Sequence, residues 1–468
     1  MFDWTKLLST TRVRDLFDGN ASVRVPGDLR TAFDQDFGRA VFSTPVRRLQ
    51  DKAQVFPLEP HDSIRTRLTH SNEVSSIARG LGSAVESFLL KDKQENKIPY
   101  GTIPTIAATC GLIHDIGNPP FGHAGEKAIA SWFEKRLSLF EEFPGETLDL
   151  KLESQFAKDF LKFEGNAQTQ RLLSSLQMLA DRFGLNMTCG TLSASLKYVV
   201  PSHRTDPNRA EAKKHGYFAS ENDLISRIQK EVETGEARHP IAFLVEAADD
   251  IAYATVDLED GIKKGCLDWA FLKAELQRRA PGPVLNQVLK SAEDKIEPAR
   301  NLTGKAKDEA LAIAFRTYGI IHMANASIGA FKAHYEPIMN GAHSKSLLKS
   351  SEIAPLVKAC KDIAGDHVYT APQIIKLEIM GRRVIWDLLD IYWEAAQFVL
   401  KRIDMPPFAE RIYALISKNY QEICEEGIKS GSPLIPDEYL RMQLITDQVC
   451  GMTDSYAVNL HRELTNGI

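Results

Sequence analysis

Apolar positions recur along this chain at helical spacing. Leu68, Val74, Ile77 and Leu81 fall on one face of a helix, and Ile374, Leu377, Val384, Leu388 and Ile391 repeat the pattern far downstream. Alternating apolar and polar runs are scarce. Ser195 to Val200 and Tyr217 to Ala219 are the short strand candidates, so the expectation is a mainly α fold with at most a small β-hairpin. Clusters of Pro, Gly, Ser, Asn and charge predict loops at 91–104, 141–148 and 201–222, with breaks at 280–283 and 405–407. The coarse division is an N-terminal segment 1–40 packing on the core, a core 41–340, and a helical C-terminal region 341–468.

The segment TIAATCGLIHDIG, Thr105 to Gly117, is an apolar helix that delivers His114 and Asp115 at its C-terminal end, with Gly117, Pro119 and Pro120 placed to stop it. Neighbouring helical residues point about 100° apart, yet both can reach one ion beyond the helix end if further ligands come from elsewhere. The pair alone proves little, since a solvated polar helix end looks the same. His61-Asp62 is a second HD pair, but it sits in the polar turn EPHDS with no apolar helix leading into it, and is assigned to a surface loop.

Two segments favour a metal site. RTRLTHSNEV places His70 on the first turn of a helix whose apolar face meets a core. IAFLVEAADDIAYATVDLEDG sets acidic side chains in an otherwise apolar helix, which is costly unless they bind an ion or are neutralised, and makes Asp249 or Asp250 a ligand candidate. Asp249, Tyr253 and Asp257, at i, i+4 and i+8, form one stripe about 12 Å long, able to hold a metal at one end and a sugar hydroxyl at the other. Glu259 and Asp260 continue the acidity, as a solvated acidic face would.

Composition narrows the class. Hydrophobic residues make up 43% and charged residues 25%, ordinary for a folded protein, and the net charge of −5 gives no global basic field for nucleic acid or an anionic membrane. No signal peptide or run of about eighteen apolar residues is present, which predicts a cytoplasmic protein. The six cysteines are scattered with no CxxC pair, so a metal site must use histidine and carboxylate.

The order His70, His114-Asp115, Asp249 resembles the HD superfamily of metal-dependent phosphohydrolases. RRLQDKAQVF (47–56), RTRLTHSNEV (65–74), HDIGNPPFGHAGE (114–126), FEGNAQTQR (163–171), LKY (196–198), EAADDIAY (246–253) and GMTDSYA (451–457) are similar to the deoxyguanosine triphosphate triphosphohydrolase family, in order over almost the whole chain. The resemblance implies an HD-domain helical fold with a helical C-terminal extension. It also implies hydrolysis of a deoxynucleoside triphosphate to deoxynucleoside and tripolyphosphate, with His70, His114, Asp115 and Asp249 holding one divalent ion, Mn²⁺ or Mg²⁺, with iron, zinc or nickel as alternatives. Such enzymes are often homo-oligomers, hexamers among them, and some need an activating deoxynucleotide or single-stranded DNA.

His123 lies nine residues after His114, beyond NPPFG, and is the candidate general acid; Glu126, three residues on, would hold its imidazole and raise its pKa. Arg67, Lys197 and Lys214 are the matched cations for a triphosphate, although KKHGYF departs from the family's KFGYF at His215 and Lys213 could substitute. Tyr198 and Tyr253 are candidates for phosphate or sugar contact, Gln54 and Asp257 for the 3′-hydroxyl, and Asn166 for the pocket border. Another HD chemistry, as in a nucleotidase or phosphodiesterase, would share the metal ligands, and a noncatalytic nucleotide sensor would share the fold.

Overall fold

The computed structural model describes residues 1–19, 27–177, 183–299, 301–401, 403–431 and 434–465. Helices dominate it. Those that build or support the site are α1 (Arg67–Lys91), α2 (Thr102–Ile113), α3 (Gly122–Glu134), α4 (Gly165–Arg171), α5 (Cys189–Ser195) and α6 (Pro240–Lys263). Further along come α7 (Gly304–Ala333), α8 (Ala354–Ile363), α9 (Pro372–Ala396), α10 (Asp437–Cys450) and α11 (Asp454–Thr465). Among the described residues the only β pairings are isolated bridges, one of them parallel between Pro201 and Tyr217. No hairpin forms: Ser195 closes α5, and 201–222 is a loop tightened by short 3-10 turns.

Two hydrophobic clusters share the molecule. One gathers α1, α2, α6, α7 and α8 around Val74, Leu81, Ile106, Ile251 and Phe315; the other gathers α3, α9 and α10 around Trp132, Phe133, Leu388, Tyr392 and Tyr439. The HD-bearing helix α2 belongs to both, through Ile106 on one side and Leu112 and Ile113 on the other. Helices α1 and α2 pack almost backbone to backbone. A Cβ added to Gly82 would stand 2.8 Å from Pro104 Cα, and one added to Gly111 would stand 2.8 Å from Ser75 Cα, so only glycine permits this approach.

Part of the loop expected at 91–104 is helical. Helix α2 begins at Thr102 because the buried Glu86 of α1 accepts the Gly101 and Ile103 N–H groups at 2.7 and 3.1 Å, and Pro104 is tolerated in a first turn that needs no N–H from it. The helix also ends earlier than expected, at Ile113. Gly117 is not its cap: a Cβ there would lie 2.2 Å from both Gly165 O and Thr169 N, so this glycine lets the turn after the HD pair rest on α4. Among the described residues no helix is long and apolar enough to cross a membrane.

Candidate metal centre

Three elements converge on one point. His70 comes from the first turn of α1, whose N-cap Thr66 accepts the Thr69 N–H. His114 follows the last turn of α2, and Asp249 projects from the middle of α6. One donor atom from each of these three residues lies within 4.8 Å of the others. His70 Nε2 is 3.4 Å and His114 Nε2 is 3.5 Å from Asp249 Oδ1. Asp115 borders the group, its Oδ2 3.5 Å from His114 Nε2.

The donor set fits a cation. His114 Nδ1 lies 2.7 Å from Gly111 O; a carbonyl only accepts, so Nδ1 carries the hydrogen and Nε2 faces the carboxylates. His70 Nε2, His114 Nε2 and Asp249 Oδ1 are buried and without hydrogen-bond partners, an arrangement a fold tolerates where a ligand completes it. Burial opposes charge on His114, yet Asp115 and Asp249 outweigh it and raise its pKa to about 9. Burial also works against the Asp249 carboxylate, but Lys197 and His114 hold it far below the usual range. The cage attracts positive charge and offers two imidazoles with carboxylate oxygen, a ligand class suited to Mn, Fe, Zn or Ni and, through its oxygens, Mg. Asp250 pairs with Lys361 at 2.5 Å, and Asp249 is the one of the two acids that meets both imidazoles.

The cage opens into a cavity of about 390 Å³. His114, Asp115, His123, Asn166, Lys197, Tyr198, Lys214, Asp249 and Tyr253 all line it. His123 sits on the first turn of α3, 61% of its side chain exposed, with Nδ1 2.6 Å from Glu126 Oε2. The bond to Glu126 is the main cause of a raised His123 pKa, and burial works against it. The other oxygen of Glu126 accepts the Gly165 N–H at 2.8 Å, which fixes the carboxylate against α4.

Lys197 Nζ donates to Asp249 Oδ2 at 3.2 Å. Lys214 reaches the cavity and Lys213 faces solvent, which separates the two lysines. Lys214 is held by the buried Glu164 at 2.6 Å, and the same carboxylate accepts from Asn166 Nδ2 at 2.6 Å. His215, the departure in KKHGYF, is buried against the Phe218 ring, and burial lowers its pKa to about 3, so it stands as a neutral core residue.

Gln54, Arg67, Glu126, His70 and Asp257 are buried and do not themselves line the cavity. Arg67 is buried, and its guanidinium bonds the Asp115 carboxylate. Both polar side-chain atoms of Gln54 are buried without partners, as is Asp257 Oδ1. Burial pushes Asp257 up to about 7, while its Oδ2 accepts the Tyr369 hydroxyl. Tyr369 and Lys361 line the cavity and were not anticipated from the sequence, because their segment, KDIAGDHVYTAPQ, carries no motif. Glu164, the residue before α4, is a further contact that its polar surroundings, EGNAQTQR, do not mark in the sequence. A second cavity of about 620 Å³ shares Asp250 and Lys361 but has no histidine in its lining, and the donor chemistry lies in the first. His61-Asp62 is exposed, as its polar turn predicts.

The continued acidity of α6 is not a solvated face. Glu259 and Asp260 are buried, and both bind Arg65, with Arg316 also on Glu259. A buried carboxylate must be paired or neutralised, and the cations come from α7, from the residues just before α1 and, for Glu259, also from Lys263 of α6 itself.

Comparison with known proteins agrees with this geometry. Residues 67–254 match the model of the HD domain, and residues 348–463 match that of the phosphohydrolase-associated domain. The chain is 36% identical to a deoxyguanosinetriphosphate triphosphohydrolase-like protein of Listeria innocua, over 99% of each chain. It is 32% identical to the deoxyguanosinetriphosphate triphosphohydrolase of Serratia proteamaculans, over 93% of this chain and 94% of that one. A deoxyguanosinetriphosphate triphosphohydrolase-like protein of Synechocystis is 33% identical over 99% of each chain. With two imidazoles and a carboxylate converging on one cavity and near full-length similarity behind them, the chain belongs to the HD-domain deoxyguanosinetriphosphate triphosphohydrolase family of phosphohydrolases.

Proposed function

We propose that this protein hydrolyses a deoxynucleoside triphosphate, dGTP or several of the deoxynucleotides, to deoxynucleoside and tripolyphosphate. The observation that carries the proposal is that a single cavity joins His114 and Asp249 of the cage to His123 with its Glu126, and to Lys197 and Lys214. The name of the Serratia relative, deoxyguanosinetriphosphate triphosphohydrolase, is consistent with it.

His70, His114, Asp115 and Asp249 would hold one divalent ion. Such an ion, Mn²⁺ or Mg²⁺ first among the candidates, supplies Lewis-acid stabilisation of charge at the α-phosphate when bound. Lys197 and Lys214 bind and orient the phosphates, and Arg67, behind Asp115, adds positive field from the wall. His123, protonated, donates to the leaving 5′-oxygen as the α-phosphorus–oxygen bond breaks; water adds to the phosphorus, and its proton leaves with solvent. Glu126 keeps the Nδ1–H directed to itself and so aims Nε2 at the cavity.

Asp257 and Gln54, each with a buried polar atom that lacks a partner, are assigned to the 3′-hydroxyl. Tyr253, edge-on to His70 at 5.5 Å, and Tyr198 frame the sugar and phosphates, and Asn166 is held at the pocket border by Glu164. The working protein is proposed to be a cytoplasmic homo-oligomer, with a second deoxynucleotide or single-stranded DNA as candidate activators. Ion chromatography of the products from each deoxynucleotide, singly and mixed, with Mn²⁺, tests the proposal. Tripolyphosphate is expected from wild type and none from Asp115→Ala. Orthophosphate or pyrophosphate alone would instead assign a different HD chemistry, and tight binding without product would assign a sensor.

A further inference from the structure

The turn from Asn118 to His123 carries the proposed acid, and two consecutive residues in it are left-handed, Phe121 at φ 62° and Gly122 at φ 57°. A bulky side chain adopts that backbone only where its surroundings impose it. The restraints come from the C-terminal region. Asp454, buried at the start of α11, accepts the Phe121 N–H at Oδ1 (2.9 Å) and the Ala53 N–H at Oδ2 (3.0 Å). Lys52, the neighbour of Ala53, donates to Asn118 O at 2.5 Å and to Cys450 O, at the end of α10, at 2.9 Å. From the other side the Phe121 ring lies on α9 so closely that a Cβ on Gly381 would be 2.6 Å from its Cγ.

We propose that Asp454 is a positioning residue: its two carboxylate oxygens clamp the Phe121 and Ala53 backbones together, so that the C-terminal region sets the place of His123. The motif GMTDSYA that contains it had no role in the function proposed above. None of the cage residues bonds Asp454, so the clamp acts directly on the turn that carries the acid and touches the cage only through Ala53, which pairs with Thr66 at the start of α1. An asparagine at 454 keeps one acceptor oxygen but presents an NH₂ to the second N–H, which breaks one of the two holds.

The inference rests on His123 acting as the acid, and the test separates the two. Asp454→Asn is compared with wild type, with Ser455→Ala as a control on the same turn, whose hydroxyl bonds Asp51 instead. The Asn variant is expected to bind Mn²⁺ by calorimetry as wild type does and to change KM for a deoxynucleotide less than about threefold. Its kcat is expected to fall by about tenfold to a hundredfold, as an ångström-scale misplacement of a reacting group does. Combined with His123→Ala it should cost nothing further, because the acid it serves is gone. Amide exchange in 118–126 should quicken, while Ser455→Ala leaves rate and exchange unchanged.

An Asn variant with kcat within twofold of wild type, a fall that multiplies with that of His123→Ala, or unchanged exchange would overturn the clamp. If Asp454→Asn does not fold, Gly381→Ala displaces Phe121 from the opposite face and must give the same pattern. If wild type releases no tripolyphosphate, the functional proposal fails, and exchange in 118–126 alone decides the clamp.

Discussion

Glu126→Gln changes one atom and tests the acid most sharply. In wild type the carboxylate accepts from His123 Nδ1 at 2.6 Å, and this bond is the leading cause of the raised imidazole pKa. A glutamine has one acceptor oxygen for two partners: left on the Gly165 N–H, which Glu126 now takes at 2.8 Å, it preserves the local fold and turns its NH₂ toward His123 Nδ1, where it can donate only to the unprotonated ring. The charge-assisted bond, about 1.5–3 kcal/mol, becomes a neutral one of about 0.5–1.5 kcal/mol. His123 is 61% exposed, so solvent screening favours the smaller difference, about 1 to 1.5 kcal/mol, or close to tenfold in kcat/KM at neutral pH. The sign is fixed by the role: the acid must be protonated, so activity is present below its pKa and lost as pH rises through it. Removing the carboxylate lowers that pKa, and the alkaline limb of kcat/KM should move to lower pH. A pH–rate profile by tripolyphosphate release checks both. An alkaline limb that stays in place, or moves upward, would refute the assignment of His123 as the acid held by Glu126.

Asp249→Ala should abolish the rise in melting temperature that Mn²⁺ gives wild type, as differential scanning fluorimetry reads, because a ligand is lost and binding no longer favours the folded state. Asp257→Asn should narrow the preference for a deoxynucleotide over its 3′-deoxy analogue by about tenfold or more in kcat/KM, because one of the two carboxyl oxygens available to the 3′-hydroxyl becomes an NH₂. Lys214→Met should raise KM by about tenfold and lower stability by roughly 1–3 kcal/mol by leaving the buried Glu164 without its cation; in Glu164→Gln, Lys214→Met should regain most of that stability in denaturant titrations. Gly111→Ala forces a methyl to within 2.8 Å of Ser75 Cα and should cost about 1–3 kcal/mol, measured as a lower denaturation midpoint.

The helical pattern of the chain was legible because it is local: the faces Val74-Leu81 and Ile374-Val384-Leu388 bury as their spacing requires. So was the acidic stripe of α6, since carboxylates amid apolar neighbours need an explanation wherever they fold. Helical spacing and the family motif together favour Asp249 over Asp250, and the structure pairs Asp250 with Lys361. What the sequence did not reveal depends on distant segments. Tyr369 meets Asp257, and Arg65 and Arg316 meet Glu259, across long separations with no repeated spacing to mark them. Capping was missed for the same reason: Glu86 starts α2 from another helix, and Gly117 looks like a helix stop until Gly165 and Thr169 are seen resting on it.

The glycines that bring α1 and α2 together also act as a ruler. His70 and His114 ride on these two helices, and where Gly82 meets Pro104 and Gly111 meets Ser75 no side chain intervenes whose rotamers could soften the joint. The gap between the two imidazoles is therefore set by main-chain thickness, a dimension that neither temperature nor substitution elsewhere on the surface easily alters. A methyl added at either glycine would loosen the instrument that spaces the ligands as well as weaken the fold.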